Sequence, residues 1–122
     1  MSERYYFYDE DGESFIAVED GDFFTGFMSS DYSLGECIIQ FYDASKDPVT
    51  PTGGTITFKG APIEGQYHDP SNDAGTIDAT TVIAGDATYE MPEFNGPCIV
   101  GKMTLDGITG ASFVRAFHWR DE

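Results

Sequence analysis

The sequence predicts an all-β fold, a single-domain antiparallel β-sandwich or flattened barrel of about seven to eight short strands over residues 1–122. Three observations carry this reading. Ten Phe and seven Tyr stand against two leucines, Leu34 and Leu105, and bulky flat side chains suit a pleated surface. Fourteen Gly and six Pro weaken helix interiors and punctuate turns. Short apolar segments centred on Tyr5, Phe15, Ile38, Ile56, Ile83, Ile99 and Phe113 recur between turn signals, and none has a helical period. A chain of 122 residues has room for one hydrophobic core and little for two.

Residues 5–8 and 15–18 flank Asp9-Glu10-Asp11-Gly12-Glu13, the pattern of a hairpin with an acidic tip. Asp9, Asp11 and Glu13 have the spacing of a calcium loop, but Asp20 is not placed to supply its final bidentate ligand, so a solvated turn is expected and no metal. A second acidic turn, Glu19-Asp20-Gly21-Asp22, leads into the apolar run Phe23-Phe24-Thr25-Gly26-Phe27-Met28, a short strand or a patch lying on a neighbour. Residues 36–42 alternate cleanly, with Cys37, Ile39 and Phe41 on one face and Ile38, Gln40 and Tyr42 on the other. Residues 43–54 form a loop, the candidate hinge, and residues 55–59 a strand with Ile56 and Phe58 inward. Residues 60–75 are irregular, 76–83 hold one or two short strands, and 85–97 form a loop pinned by Met91 and Phe94.

Residues 99–105 and 113–119 read as a hairpin at the centre of the domain. Ile99, Met103 and Leu105 alternate with Val100, Lys102 and Thr104, and Asp106-Gly107 and Thr109-Gly110 supply turn chemistry. On the returning strand Phe113, Phe117 and Trp119 form the expected core face, with Val114, Ala116 and His118 opposite. That second face is also apolar, as it is for Ile38 and Tyr42, and strands apolar on both sides are covered on both sides.

Twenty-two acids against six bases give a formal net charge of −16, which repels phosphate backbones and anionic lipid and argues against direct binding to nucleic acid or membrane. No run approaches the ~20 apolar residues of a membrane span, and the start Met-Ser-Glu-Arg-Tyr-Tyr lacks a secretory core, so synthesis in a cytoplasm is expected. Cys37 and Cys98 then read as free, buried thiols.

No pattern of catalysis stands out. His68 and His118 lack metal-ligand spacing; His68 reads as a surface turn residue and His118 as a strand residue facing a neighbour or solvent. There is no nucleophile elbow, phosphate loop, Cys-x-x-Cys or His-Glu-x-x-His, so no catalytic residue, cofactor or metal is expected. The expected working surface is an interface built from Tyr5, Tyr6, Phe7, Tyr8, Phe23, Phe24, Phe27 and Met28, because aromatic side chains supply contact area at low entropic cost.

Pro51-Thr-Gly-Gly-Thr-Ile-Thr-Phe58, Gly75-Thr-Ile-Asp-Ala79, Gly96-Pro97 and Leu105-Asp-Gly-Ile-Thr-Gly-Ala111 each sit beside a strand. In this order they resemble small accessory virion proteins of tailed bacteriophages. The resemblance spans residues 51–122; residues 1–50 match no pattern. It implies a β-sandwich present in several copies on a virion, made in the host cytoplasm and contacting the major capsid protein, tail proteins or its own copies. Capsid decoration comes first among the roles it implies, with a tail or fibre accessory as the alternative. A carbohydrate- or receptor-binding module is the reading from another class, with Trp119, Tyr67 and Tyr89 as rings to stack on sugars.

Overall fold

Strands dominate the chain. The computed structural model describes residues 2–26, 36–61, 73–85, 88–89 and 100–121. Among the described residues ten strands run in chain order: β1 (Ser2–Tyr8), β2 (Ile16–Ala17), β3 (Gly21–Thr25), β4 (Glu36–Tyr42), β5 (Pro48–Val49), β6 (Gly53–Ala61), β7 (Asp73–Asp78), β8 (Thr88–Tyr89), β9 (Val100–Thr109) and β10 (Phe113–Asp121). Eight lie side by side as β5-β4-β10-β1-β3-β9-β6-β7, while β2 joins β10 and β8 joins β4. The pairings are antiparallel and the sheet curls into a half-barrel, so the all-β reading holds. Helix among the described residues is limited to one 3-10 turn, Ala79–Thr81. None is long and apolar enough to cross a membrane.

β1 holds the curl together. Its first part pairs with β10, from Ser2 opposite Asp121 to Tyr6 opposite Phe117. Its last two residues pair with β3 instead, Phe7 opposite Thr25 and Tyr8 opposite Phe24. Where β1 leaves, β2 takes over the flank of β10, with Ile16 opposite Val114. Residues 79–85 join the two ends of the strand order. They leave β7 with Ala79 and Val82 in the core, then the Ala84 and Gly85 amides donate to Thr50 Oγ1 (2.8 Å) and to the Gln40 side chain (3.2 Å).

Alternation decides the core. Ile39 and Phe41 on β4, Ile56 and Phe58 on β6, and Met103 and Leu105 on β9 are fully or almost fully buried, as the two-residue period predicts. Phe7, Phe23, Ile16 and Val114, with the smaller Ala79, Val82 and Ala116, complete the cluster. Burying each large side chain contributes about 2–3 kcal/mol.

The last strand is turned the other way from the expectation. Val114, Ala116 and His118 face the core, while Phe113 and Phe117 are half-buried on the convex side. The register supplies the reason: Val114 lies opposite Phe41 and Ala116 opposite Ile39. The concave side beside those residues is already filled, so it accepts small side chains and sends large rings outward. His118 fits because Gly101 leaves it room; a Cβ there would come within 3.2 Å of the imidazole. Its ring lies 5.1 Å from that of Phe7 and 6.1 Å from that of Phe58, centroid to centroid. It faces neither neighbour nor solvent. The Trp119 and Cys37 side chains, Cys98, His68, Met91 and Phe94 lie outside the described residues.

Two expected hairpins are also absent. β9 pairs with β3 and β6, and β10 with β4, β1 and β2, so the last two long strands do not pair with each other. Residues 110–112 cross from one part of the curl to the other, fixed by the Thr52 amide on the Thr109 carbonyl and the Ser112 amide on the Tyr42 carbonyl, both 2.8 Å. Gly110 turns there at φ 79, and the strand runs through Asp106-Gly107 rather than ending. Likewise β1 and β2 do not pair with each other. The turn chemistry was legible; the partners of each strand are non-local.

Candidate docking face

Strand alternation divides the residues expected at an interface. In β1 Phe7 points into the core and Tyr8 outward; in β3 Phe23 and Thr25 point inward and Phe24 outward. Phe7 and Phe23 therefore offer a partner no surface, a correction to the expected set. Tyr5 packs partly against the core, and Tyr6 lies half-buried on the convex side, 4.8 Å from the Phe117 ring. Phe27 and Met28 lie outside the described residues, as does Tyr67. What remains is Tyr8 and Phe24, directly opposite each other across the β1–β3 pairing and 39% and 41% exposed.

The loop after Tyr8 is built by its own acids. The Asp9 amide donates to the Glu13 carbonyl and the Gly12 amide to the Asp9 carbonyl, both at 3.0 Å. Asp9 Oδ1 accepts from the Asp11 and Glu13 amides at 2.9 Å each. Gly12 has φ 78, the left-handed conformation that Gly adopts without a Cβ penalty. Residues 43–47 repeat the arrangement: Asp43 Oδ1 accepts from Ser45 and Asp47, and Lys46 takes the left-handed position at φ 66. A loop with two acids fewer thus makes the same turn, so the Asp9 carboxylate is explained by turn geometry. Among the described residues no three of His, Cys, Asp and Glu come together as metal ligands would.

Two shallow clefts lie against this loop. One, about 530 Å³, is lined by Tyr8, Asp9, Glu10, Gly12, Asp22 and Phe24, among others. The other, about 270 Å³, shares Asp9, Glu10 and Asp22 and adds Asp11 and Glu19. Asp22 Oδ1 accepts from the Thr104 hydroxyl at 2.7 Å, and Asp20 Oδ1 from the Gly107 amide at 2.8 Å, which fixes the second acidic turn on β9. The result is an aromatic pair at the rim of carboxylates held in place by the fold.

The convex side over β1, β2 and β10 differs. Phe15 contacts Tyr42 and Phe113 at ring separations of 4.9 and 5.1 Å. Lys46 Nζ lies 5.3 Å over Phe15, the Arg4 guanidinium 5.1 Å over Phe117, and that of Arg115 4.9 Å over Tyr6. Those rings are roofed by the chain's own cations. This reversed strand face, which sequence reasoning missed, has one signal in the sequence: Arg4, Tyr6, Arg115 and Phe117 alternate along β1 and β10 at spacings that bring them to one face.

No family model, curated protein or solved structure matches the chain.

Proposed function

We propose that the chain is a non-enzymatic structural component of a tailed-phage particle, first as a capsid decoration protein, second as a tail or fibre accessory, and that it docks on other virion proteins through the Tyr8–Phe24 face. The observation that carries the docking reading is that cross-strand pair, 39% and 41% exposed beside the 530 Å³ cleft. The virion assignment is supported by the resemblance of residues 51–122. A repeated site on a particle asks little affinity of each copy, because neighbouring contacts multiply.

The test is to purify particles and look for the chain by mass spectrometry, then to replace Tyr8 and Phe24 together with Ser. Wild type should sediment with particles, and the double variant should remain folded by circular dichroism yet leave them. Absence of wild type from purified particles would end the virion assignment. Specific binding on a glycan array without particle association would favour the carbohydrate-binding module instead.

A further inference from the structure

Aspartate followed by glycine carries a slow chemistry of its own. The glycine nitrogen attacks the side-chain carbon of the aspartate, and with no Cβ on the glycine little hinders the approach. Three such pairs occur in the chain, Asp11-Gly12, Asp20-Gly21 and Asp106-Gly107. The fold treats them unequally. The Gly107 amide donates to Asp20 Oδ1 at 2.8 Å, so one hydrogen bond holds the nucleophile of the third pair and the carboxylate of the second. Asp106 stands in β9 opposite Thr55, and Gly21 in β3 opposite Leu105. Gly54 packs so closely that a Cβ on it would come within 2.7 Å of the Gly107 carbonyl. Turning either peptide disturbs paired strands. Asp11 and Gly12, by contrast, are exposed and belong to no strand. Among the described residues nothing holds the Asp11 carboxylate as Gly107 holds that of Asp20. Turning the Asp11-Gly12 peptide breaks only hydrogen bonds of its own loop, to the carbonyl and Oδ1 of Asp9. Openings confined to an exposed loop lie at the low end of local stability.

We propose that Asp11-Gly12 is a self-modifying site that converts spontaneously to isoaspartate, a property independent of any docking role. The Gly12 nitrogen bonds to Asp11 Cγ, the amide proton leaves with the hydroxyl of the protonated carboxyl as water, and a cyclic imide forms. Water then adds to the carbonyl that was the Asp11 backbone carbonyl and breaks its bond to nitrogen. The chain now continues through Cγ, and the former backbone carbonyl is the free carboxylate. The water lost is regained, the net charge is unchanged, and no oxidant, reductant or second reactant enters. The backbone has gained one carbon between Asp11 and Gly12. That displaces the Glu13 amide from Asp9 Oδ1 and moves Gly12 in the wall of the larger cleft beside Tyr8. The loop at residues 43–47 makes the same turn without this chemistry, because Ser45-Lys46 stand at the two positions.

The experiment holds the full chain in warm neutral buffer for weeks, folded and, in parallel, unfolded in urea. After digestion, isoaspartate at residues 11, 20 and 106 is counted by electron-transfer fragmentation, since the change leaves the mass unaltered. Asn95-Gly96, outside the described residues, is read apart because deamidation there changes the mass. In the folded chain isoaspartate should accumulate at residue 11 about tenfold faster than at residues 20 and 106, because only the latter two require paired strands to open. In urea the three rates should converge, since the pairs are then alike. Gly12→Lys puts a side chain on the attacking residue, in a left-handed position that Lys46 already occupies in the second loop. It should abolish the reaction at residue 11 while circular dichroism shows the fold kept. Nuclear magnetic resonance of the converted protein should show shifted amides at residues 9–13 and unmoved amides at residues 43–47. Residue 20 or 106 keeping pace with residue 11 in the folded chain would overturn the proposal. So would the same ranking in urea, an unslowed reaction in Gly12→Lys, or amides at residues 9–13 that stay in place after conversion.

Discussion

The loops at residues 9–13 and 43–47 share one backbone and serve opposite ends. Each is closed by the first aspartate accepting from amides two and four residues on, and each puts its fourth residue in the left-handed region. In the second loop that residue is Lys46, whose ammonium reaches back over Phe15 and Phe113. In the first it is Gly12, and the side chains around it are acids beside the exposed Tyr8 and Phe24. One turn shields its neighbouring rings from water and the other leaves them at the mouth of a cleft. Turn geometry fixes where side chains stand; their identity decides whether the surface is closed or open to a partner.

The comparison is tested most severely along the strands themselves. Phe7→Ala should cost about 3–5 kcal/mol, because Phe7 is fully buried against Phe58 and His118. Its neighbour Tyr8→Ser should change stability by no more than about 0.5 kcal/mol. Urea unfolding of the two variants reads the difference, and similar losses would mean that Tyr8 belongs to the core. Phe23→Ser against Phe24→Ser repeats the contrast on β3.

A middle-sized effect is expected at the irregularity in the β6–β9 pairing. Gly54 has φ +105, and a Cβ there would meet the Ile108 Cα at 2.6 Å. Gly54→Ala should destabilise by about 1–3 kcal/mol, strain and overlap acting together. Thermal melting of Gly54→Ala beside Gly26→Ala, where a Cβ meets nothing within 4 Å, separates this cost from the general effect of replacing Gly.

The twin loops should respond alike when their aspartates are removed. Asp9→Ala and Asp43→Ala each release two amides, and each should cost about 1 kcal/mol. Calcium should not change the ranking. Stabilisation of wild type by calcium that Asp9→Ala abolishes would mean that the first loop is an ion site and not a twin of the second.

The smallest effects are electrostatic. Lys46→Gln should cost about 0.5–1 kcal/mol, the range of an exposed cation–π contact. Sodium chloride should raise the melting temperature, since the excess of acids repels itself and the screening length falls from about 10 Å at 0.1 M to about 3 Å at 1 M. A melting temperature that falls with salt would show that the cation–aromatic contacts outweigh that repulsion.

The legible part of this fold is the part that alternates. Cys37, Ile39 and Phe41 against Ile38, Gln40 and Tyr42, and Ile56 with Phe58 between threonines, state their faces in one line of sequence. β10 does not, because each face carries apolar side chains and only Arg115 marks the outer one; curvature and register choose Val114, Ala116 and His118 over the larger rings. The docking face was half legible for the same reason. Runs such as Tyr5-Tyr6-Phe7-Tyr8 and Phe23-Phe24 conceal their period in a uniform chemistry, so nothing in the sequence separates Phe7 and Phe23 from the neighbours that do reach the surface. Strand partners were the least legible. A Gly-rich turn shows that a chain reverses, but not that β1 and β3 will stand between β9 and β10.

The division of β1 between β10 and β3 also sets an order of events during synthesis. β1 is made soon before its β3 partner but long before its β10 partner, since Ser2 waits for Asp121 and Tyr6 for Phe117. Until residues 113–121 emerge, β4 lacks its neighbour β10 and the concave side lacks Val114, Ala116 and His118. Until then Phe7, Ile39 and Phe41 lack the strand that completes their cover, and closure is a late step joining distant parts of the sequence. Such a chain folds slowly for its size and depends on its unfinished form staying soluble, a task to which mutual repulsion among its many carboxylates is well suited.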